Sequence, residues 1–315
     1  MFRVFLACAL ASATLCTGAA HAAPAYIFSY FLDNGQDGLH LAGSRDGLTW
    51  TPLNGGKPLM APELGDKLVR DPCIILGADG LYHMVWTISW NLQGIGHATS
   101  RDLVTWSAQQ YIPVMEHESG ARNCWAPELF YDAAAQDYLI FWATTIPGRF
   151  PTSDGEGDDK YNHRMYMTRT KDFVSFTPSA LYYDHGFNVI DATITSWDKR
   201  FLMILKDERL KPVQKNLRAA TAVHPGGPWS PPSAPITGDY WAEGPTTLRV
   251  GEWCYVYFDK YQINTYGAVR TRDAEQWEDV SHTVRFPKGV RHGTALAVPE
   301  AILKALEELG NHDAH

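Results

Sequence analysis

One short element recurs along this chain and limits its fold more than any other feature. It reads Ser44-Arg45-Asp46 ending at Trp50, Ser100-Arg101-Asp102 ending at Trp106, Thr170-Lys171-Asp172 ending at Phe176, and Thr271-Arg272-Asp273 ending at Trp277. A degenerate copy closes on Gly227-Pro228-Trp229. The terminal aromatics lie 56, 70, 53 and 48 residues apart, which makes five units of about 50 residues. The Asp reads as a turn residue that accepts from neighbouring backbone N–H groups, and the aromatic as a side chain buried between units. Two strand-like stretches precede each copy. The first set (26–31, 82–87, 138–144, 201–205, 253–258) is rich in aromatic and β-branched residues, and the second covers 38–43, 95–99, 164–169, 217–222 and 266–271. Units of this length with four strands each are propeller blades.

The arrangement predicts an innermost strand for every blade, and the chain supplies five. They begin Asp71-Pro72-Cys73, Pro127-Glu128-Leu129, Asp191-Ala192-Thr193, Glu243-Gly244-Pro245 and His292-Gly293-Thr294. The fifth lies at the C-terminal end, while the blade lacking an inner strand is N-terminal. The expected fold is therefore an all-β, five-bladed propeller of four-stranded blades, closed by pairing the C-terminal strand with the N-terminal blade. Pro299 then opens a short amphipathic helix with Ile302, Leu303, Leu306 and Leu309 on one side.

Residues 1–22 read as a secretory signal peptide, with Arg3, an apolar run over 4–15 and an Ala20-His21-Ala22 cleavage site. The run of 12 residues is shorter than a bilayer span, and no later stretch is longer. The expectation is a secreted or periplasmic monomer, its single propeller domain covering 23–315, without a membrane partner. A net charge of −8 without a long Lys/Arg tract argues against nucleic acid as a partner. Cys73, Cys124 and Cys254 each lie in apolar or aromatic surroundings and are expected as buried thiols, with at most one disulfide.

In a propeller the start of each inner strand points towards one axial site. The five starters are Asp71, Glu128, Asp191, Glu243 and His292, spaced 57, 63, 52 and 49 residues apart and read here as equivalent repeat positions. Four carboxylates and an imidazole at one channel mouth must shift each other's pKa values, which suits a site that moves protons. The acidic run 154–159 reads as a solvated insertion. Lys206-Asp207-Glu208 reads as a surface turn within reach of the mouth.

Taken in order, Arg70-Asp71-Pro72, Trp125-Ala126-Pro127-Glu128, Ile190-Asp191-Ala192, Ala242-Glu243-Gly244-Pro245 and Arg291-His292-Gly293 resemble the motifs of glycoside hydrolase family 43. The resemblance implies an inverting glycosidase with Asp71 as general base, Glu243 as general acid and Asp191 as the residue that tunes and orients the acid. It also implies that His292 helps to hold a calcium ion, through water, in the channel. Two departures stand out: the first motif follows a complete extra strand set, and Glu128 stands where many relatives carry Asp. Inversion needs a protonated and an ionised carboxyl with a water between them. Asp191 is expected to raise the Glu243 pKa by like-charge repulsion, and Arg70 or Arg291 to keep Asp71 ionised. Trp90, Trp125 and Trp241 are candidates to wall the sugar, and Arg291 and Glu128 to bond its hydroxyls.

The leading expectation is exo-acting removal of α-L-arabinofuranosyl, or else β-D-xylosyl, groups from plant polysaccharide or oligosaccharide. A retaining fructan-type glycosidase is the second reading, since such enzymes also use an Arg-Asp-Pro triplet, although Phe31-Leu32-Asp33-Asn34 matches their nucleophile segment poorly. A carbohydrate-binding propeller without activity is the third.

Overall fold

A computed structural model describes residues 25–310; the signal-peptide reading, with Cys8 and Cys16, lies outside the described residues. Five antiparallel sheets follow one another around a ring. The first blade holds β1 (Ala25–Tyr30), β2 (His40–Ser44) and β3 (Thr51–Pro52), and the second β4 (Arg70–Leu76), β5 (Tyr82–Thr87), β6 (Ile95–Ser100) and β7 (Gln110–Ile112). The third holds β8 (Trp125–Asp132), β9 (Asp137–Thr145), β10 (His163–Thr170) and β11 (Ala180–Tyr183). The fourth has β12 (Val189–Trp197), β13 (Arg200–Asp207) and β14 (Asn216–Ala222), and the fifth β15 (Glu243–Val250), β16 (Trp253–Lys260), β17 (Thr265–Thr271) and β18 (Glu278–Asp279). Finally β19 (Ala295–Val298) completes the first blade by pairing with β1, Ala25 opposite Val298 and Phe28 opposite Ala295. The chain is thus a five-bladed propeller whose ring closes as expected.

The repeated Asp element folds the same way in four blades. Asp46 Oδ1 accepts from the N–H groups of Leu48 and Thr49 at 2.7 and 2.8 Å, and Ser44 Oγ accepts from Gly47 N. Asp102, Asp172 and Asp273 repeat the pattern. The residue after each Asp takes positive φ, namely Gly47, Leu103, Phe173 and Ala274. The expected burial of the closing aromatic needs correction. Trp50 and Trp229 are buried, but Trp106, Phe176 and Trp277 are half-buried, and Leu103 and Phe173 are the anchors that go fully inside.

The fourth blade departs from four strands. Its outer edge is occupied by a Pro-rich segment in which the N–H groups of Ser230, Ser233 and Ile236 donate to the carbonyls of Thr221, Ala219 and Leu217. Every third residue of one chain therefore meets every second residue of the other. A strand ladder requires period two on both sides, and the intervening Pro231, Pro232 and Pro235 have no N–H to supply it.

Apolar packing lies within and between blades, with Trp86, Trp142, Phe28, Phe141 and Phe258 fully buried. Behind Pro299, helix α1 (Glu300–Leu309) lays Leu303 and Leu306 onto the first blade, where Leu303 reaches the surface above Gly43. Cys73, Cys124 and Cys254 are all free and buried. No helix among the described residues is long and apolar enough to cross a membrane.

Candidate active site

Four of the five inner strands break their register close to their start. The shift falls between Arg70 and Cys73 in β4, Trp125 and Glu128 in β8, Ile190 and Thr193 in β12, and Glu243 and Thr246 in β15. Two residues on the inner strand then oppose one on its partner, which is a β-bulge. The first bulged residue takes left-handed backbone: Asp71 (φ 51°), Ala126 (47°), Asp191 (51°) and Gly244 (57°). In the first blade, the Phe31–Arg291 bridge ahead of β19 places His292 in the corresponding position.

The bulges sort the channel into three levels, which corrects the reading of the five starters as equivalent positions. The mouth level holds Arg70, Trp125, Ile190, Glu243 and Arg291. Below it lies the bulge level, with Asp71, Ala126, Asp191, Gly244 and His292. The next level holds Cys73, Glu128, Thr193, Thr246 and Thr294. A pocket of about 220 Å³ is lined by the first two levels, Gly244 excepted, together with Thr87, Trp90, Lys206 and Glu208. The third level lines a separate cavity deeper in the channel. Glu128 therefore does not meet a ligand in the mouth pocket; it accepts from Thr193 Oγ1 at 3.0 Å, two residues too far along its strand to reach the rim.

At the bulge level His292 joins two carboxylates. Its Nδ1 lies 3.3 Å from Asp71 Oδ1 and 4.0 Å from Asp191 Oδ2. Thr87 Oγ1 donates to Asp71 Oδ2 at 2.8 Å while accepting from Ala126 N, which ties the second blade to the third. Asp191 Oδ2 accepts from Gly244 N at 3.0 Å, across to the fifth blade. A Cβ on Gly244 would stand 2.4 Å from the His292 ring, and φ there is positive, so only glycine fits.

Burial pushes the Asp71 carboxyl upward, but the His292 hydrogen bond and charge, with Arg70 and Thr87, reverse this and bring it down to about 2. Burial would lower His292; the Asp71 bond and the charges of Asp191, Asp71 and Glu128 instead raise it to about 9. Asp191 rises to about 6, mainly through burial, and Glu128 to about 7 for the same reason.

Glu243 contradicts one expectation. Burial pushes its carboxyl up, yet Lys206 Nζ donates to Oε2 at 2.9 Å and Arg291 Nη2 to Oε1 at 3.1 Å, and these cations hold it below the ordinary glutamate value. The repulsion foreseen between Asp191 and Glu243 acts the other way round: the carboxyl with the cations keeps its charge, and Asp191 is the one that rises. Arg291 also donates through Nε to the buried Asp259 at 2.6 Å, so two carboxylates orient its guanidinium before any sugar arrives.

Of the three tryptophans, Trp90 and Trp125 wall the pocket, packed edge to face at 5.4 Å, with Trp125 Nε1 donating to the Trp90 carbonyl. Arg70 stacks over the Trp90 ring at 4.3 Å. Trp241 does not line the pocket; it packs on Tyr261 and beneath the Lys215 ammonium, because its strand has not yet entered the channel. The acidic insertion is docked as well as exposed: Glu156 Oε2 accepts from Asn188 N, and Asp158 Oδ2 from Lys215 Nζ at 3.0 Å.

Sequence reasoning missed Thr87 and Asp259 as site residues and read Lys206 as a surface turn within reach of the mouth. They share a signal, since each is the last or next-to-last residue of the second strand of its blade, opposite a mouth-level residue: Thr87 faces Arg70, Lys206 faces Ile190 and Asp259 faces Glu243. Aligning strand ends as well as strand starts would have found them.

Among the described residues no group of three or more His, Cys, Asp or Glu is arranged to hold a metal. Below His292 the channel offers one carboxylate, Glu128, where calcium takes six to eight oxygens. The side chains alone do not fit a calcium cage.

A closed five-bladed ring with buried carboxylates, an imidazole and two indoles around one axial pocket defines the propeller glycosidase class. Residues 22–303 match the family-43-related family described as "Probable glycosyl hydrolase domain", and the chain belongs to that family. An α-L-arabinofuranosidase of Bifidobacterium longum subsp. longum is 21% identical over 188 residues, a match that takes in 52% of this chain and only 17% of that relative's length. Among solved structures, an α-L-arabinofuranosidase from Lactobacillus brevis superposes with a TM-score of 0.53 at 18% identity, covering 67% of this chain and 72% of that one. A thermostable family-43 glycoside hydrolase gives 0.54 at 15% identity, covering 72% of this chain and 78% of that one. An exo-β-1,3-galactanase from Phanerochaete chrysosporium gives 0.53 at 11%, covering 70% and 52%. Identities this low show the shared fold.

Proposed function

We propose that this protein is an inverting, exo-acting glycosidase that removes terminal α-L-arabinofuranosyl groups, with β-D-xylosyl groups as the next candidate, acting outside the cytoplasm as a monomer. One observation carries the reading. Asp71, kept ionised on the second blade, shares an axial pocket with Glu243 on the fifth, and the first blade with His292 lies between them. A base and an acid on non-neighbouring blades leave room for a water, which inversion requires. Asp71 activates that water, and Glu243 protonates the leaving oxygen. Asp191, bonded to the Gly244 amide, fixes the backbone that carries Glu243. Trp90 and Trp125 offer ring faces and edges to the sugar, and the small pocket, about 220 Å³, suits a terminal residue of a chain.

Because Glu243 is ionised above its lowered pKa, it serves as an acid only below the ordinary glutamate value, while Asp71 remains a base down to about pH 2. The profile of kcat/KM is therefore bell-shaped with its maximum on the acid side.

The test is a proton NMR time course with aryl α-L-arabinofuranoside, β-D-xyloside and β-D-galactoside in one mixture. One sugar appearing first as the inverted anomer supports the reading and fixes the substrate. A retained anomer replaces it with the fructan-type mechanism. The clamp of Lys206 and Arg291 on Glu243 favours a second reading, a propeller that binds sugar without cleaving it. That reading stands if no sugar is released and binding survives Glu243→Gln.

A further inference from the structure

We propose that Lys206 is a positioning residue for Glu243, held on target by a line of alternating charge that runs outward through Glu208 and Lys215 to Asp158. The inference rests on the reading of Glu243 as the acid. The Lys206 side chain is 2% exposed, and its Nζ lies between Glu208 Oε2 at 2.7 Å and Glu243 Oε2 at 2.9 Å, with the Tyr261 ring 4.7 Å away. Lys215, equally buried, donates to the other oxygen of Glu208 and to Asp158 on the insertion. A buried ammonium is tolerated only where carboxylates compensate it, so each member of the line fixes the next. The acidic insertion, absent from the other blades' repeat, is the outer anchor.

The groups facing Glu243 come from every neighbouring element. Lys206 approaches from β13, Arg291 and His292 from the segment before β19, Asp191 from β12, Asp259 and the following Tyr261 from β16. Arg291 divides its charge with Asp259, and His292 gives its Nδ1 to Asp71. Lys206 is the cation aimed at the oxygen that Arg291 leaves free. It therefore fixes the Glu243 rotamer and sets the pH above which the acid has lost its proton, while Glu208 draws part of that influence away.

The experiment compares kcat/KM against pH for wild type, Lys206→Met, Lys206→Arg and Glu208→Gln. In parallel, carbon-13 NMR titrates the glutamate carboxyls, with Glu243→Gln assigning the signal. Lys206→Met is expected to move the alkaline limb and the Glu243 titration upward by about 1 to 3 pH units. Lys206→Arg returns both towards wild type. Glu208→Gln moves both downward, since it removes a like charge and leaves Lys206 to Glu243 alone. Opposite shifts from two neighbouring residues are not what a merely structural role produces. An unmoved limb and titration in folded Lys206→Met overturn the proposal; if that variant does not fold, an unmoved or upward shift in Glu208→Gln does so. A wild type that releases no sugar removes the glycosidase reading alone, because the carboxyl titration still decides the role of Lys206.

Discussion

The two ends of the pocket keep a carboxylate charged by different means. At the Asp71 end an imidazolium and a hydroxyl bond the carboxylate directly, and the charge of the adjacent Arg70 adds to them. The Glu243 end uses a guanidinium, an ammonium and a chain of further charges reaching the outer insertion. A local device ties the base chiefly to one neighbour, His292, whose loss is felt at once. A distributed device spreads the acid's electrostatics over three segments, so that single losses shift its proton affinity by degrees.

The sharpest way to test this contrast is to remove the two carboxylates themselves. Asp71→Asn is expected to lower kcat/KM by about 10² to 10⁴-fold, to a similar extent on aryl glycosides and on oligosaccharides, because the water must be activated in both. Glu243→Gln should lose as much on oligosaccharides but much less on aryl glycosides, whose leaving group departs without a proton. Equal losses on both substrates would break the assignment of acid and base. Smaller in effect is His292→Gln. Asp71 must be ionised to act, and its carboxyl is down at about 2 because of His292, so without the imidazolium the acidic limb of the profile should rise by about 1 to 3 pH units.

Linkage gives the next test. His292 is raised to about 9 in the folded protein, so its stabilisation is complete below the unfolded value near 6.5 and disappears as pH rises through 9. The urea midpoint of wild type should exceed that of His292→Gln at pH 6, and the gap should close by pH 10. The weakest effects separate the indoles: Trp125→Ala should raise KM severalfold, whereas Trp241→Ala should leave it unchanged, since only Trp125 lines the pocket.

The blade count, the five inner strands and the closure were legible because turn chemistry at Asp46, Asp102, Asp172 and Asp273 is local and repeats in the sequence. The convergence of Asp71, Asp191, Glu243 and His292 followed from it. Their levels were not legible, since the inner strands are buried on both faces and a bulge there breaks no apolar-polar alternation; Glu128 looked equivalent to Asp71 and sits deeper. Lys206 and Asp259 were hidden for another reason. A charged residue at a strand end normally meets solvent, and only the ring turns that end inward. The fourth blade lost its outer strand to Pro231, Pro232 and Pro235, which follow the degenerate copy Gly227-Pro228-Trp229 and belong to no repeated element, so the repeat alone does not reveal the loss.

The pairing of β1 with β19 has a temporal side. The strand beginning at Ala25 finds its inner neighbour only at Val298, so the contact that closes the ring spans nearly the whole described chain. While the polypeptide emerges from the ribosome, the second to fifth blades can assemble in order from neighbouring segments, but the first must wait with an open edge. That wait leaves the inner backbone edge of β1 unpaired until the last strand arrives, and it makes this strand the part of a growing chain most exposed to wrong pairing with another copy.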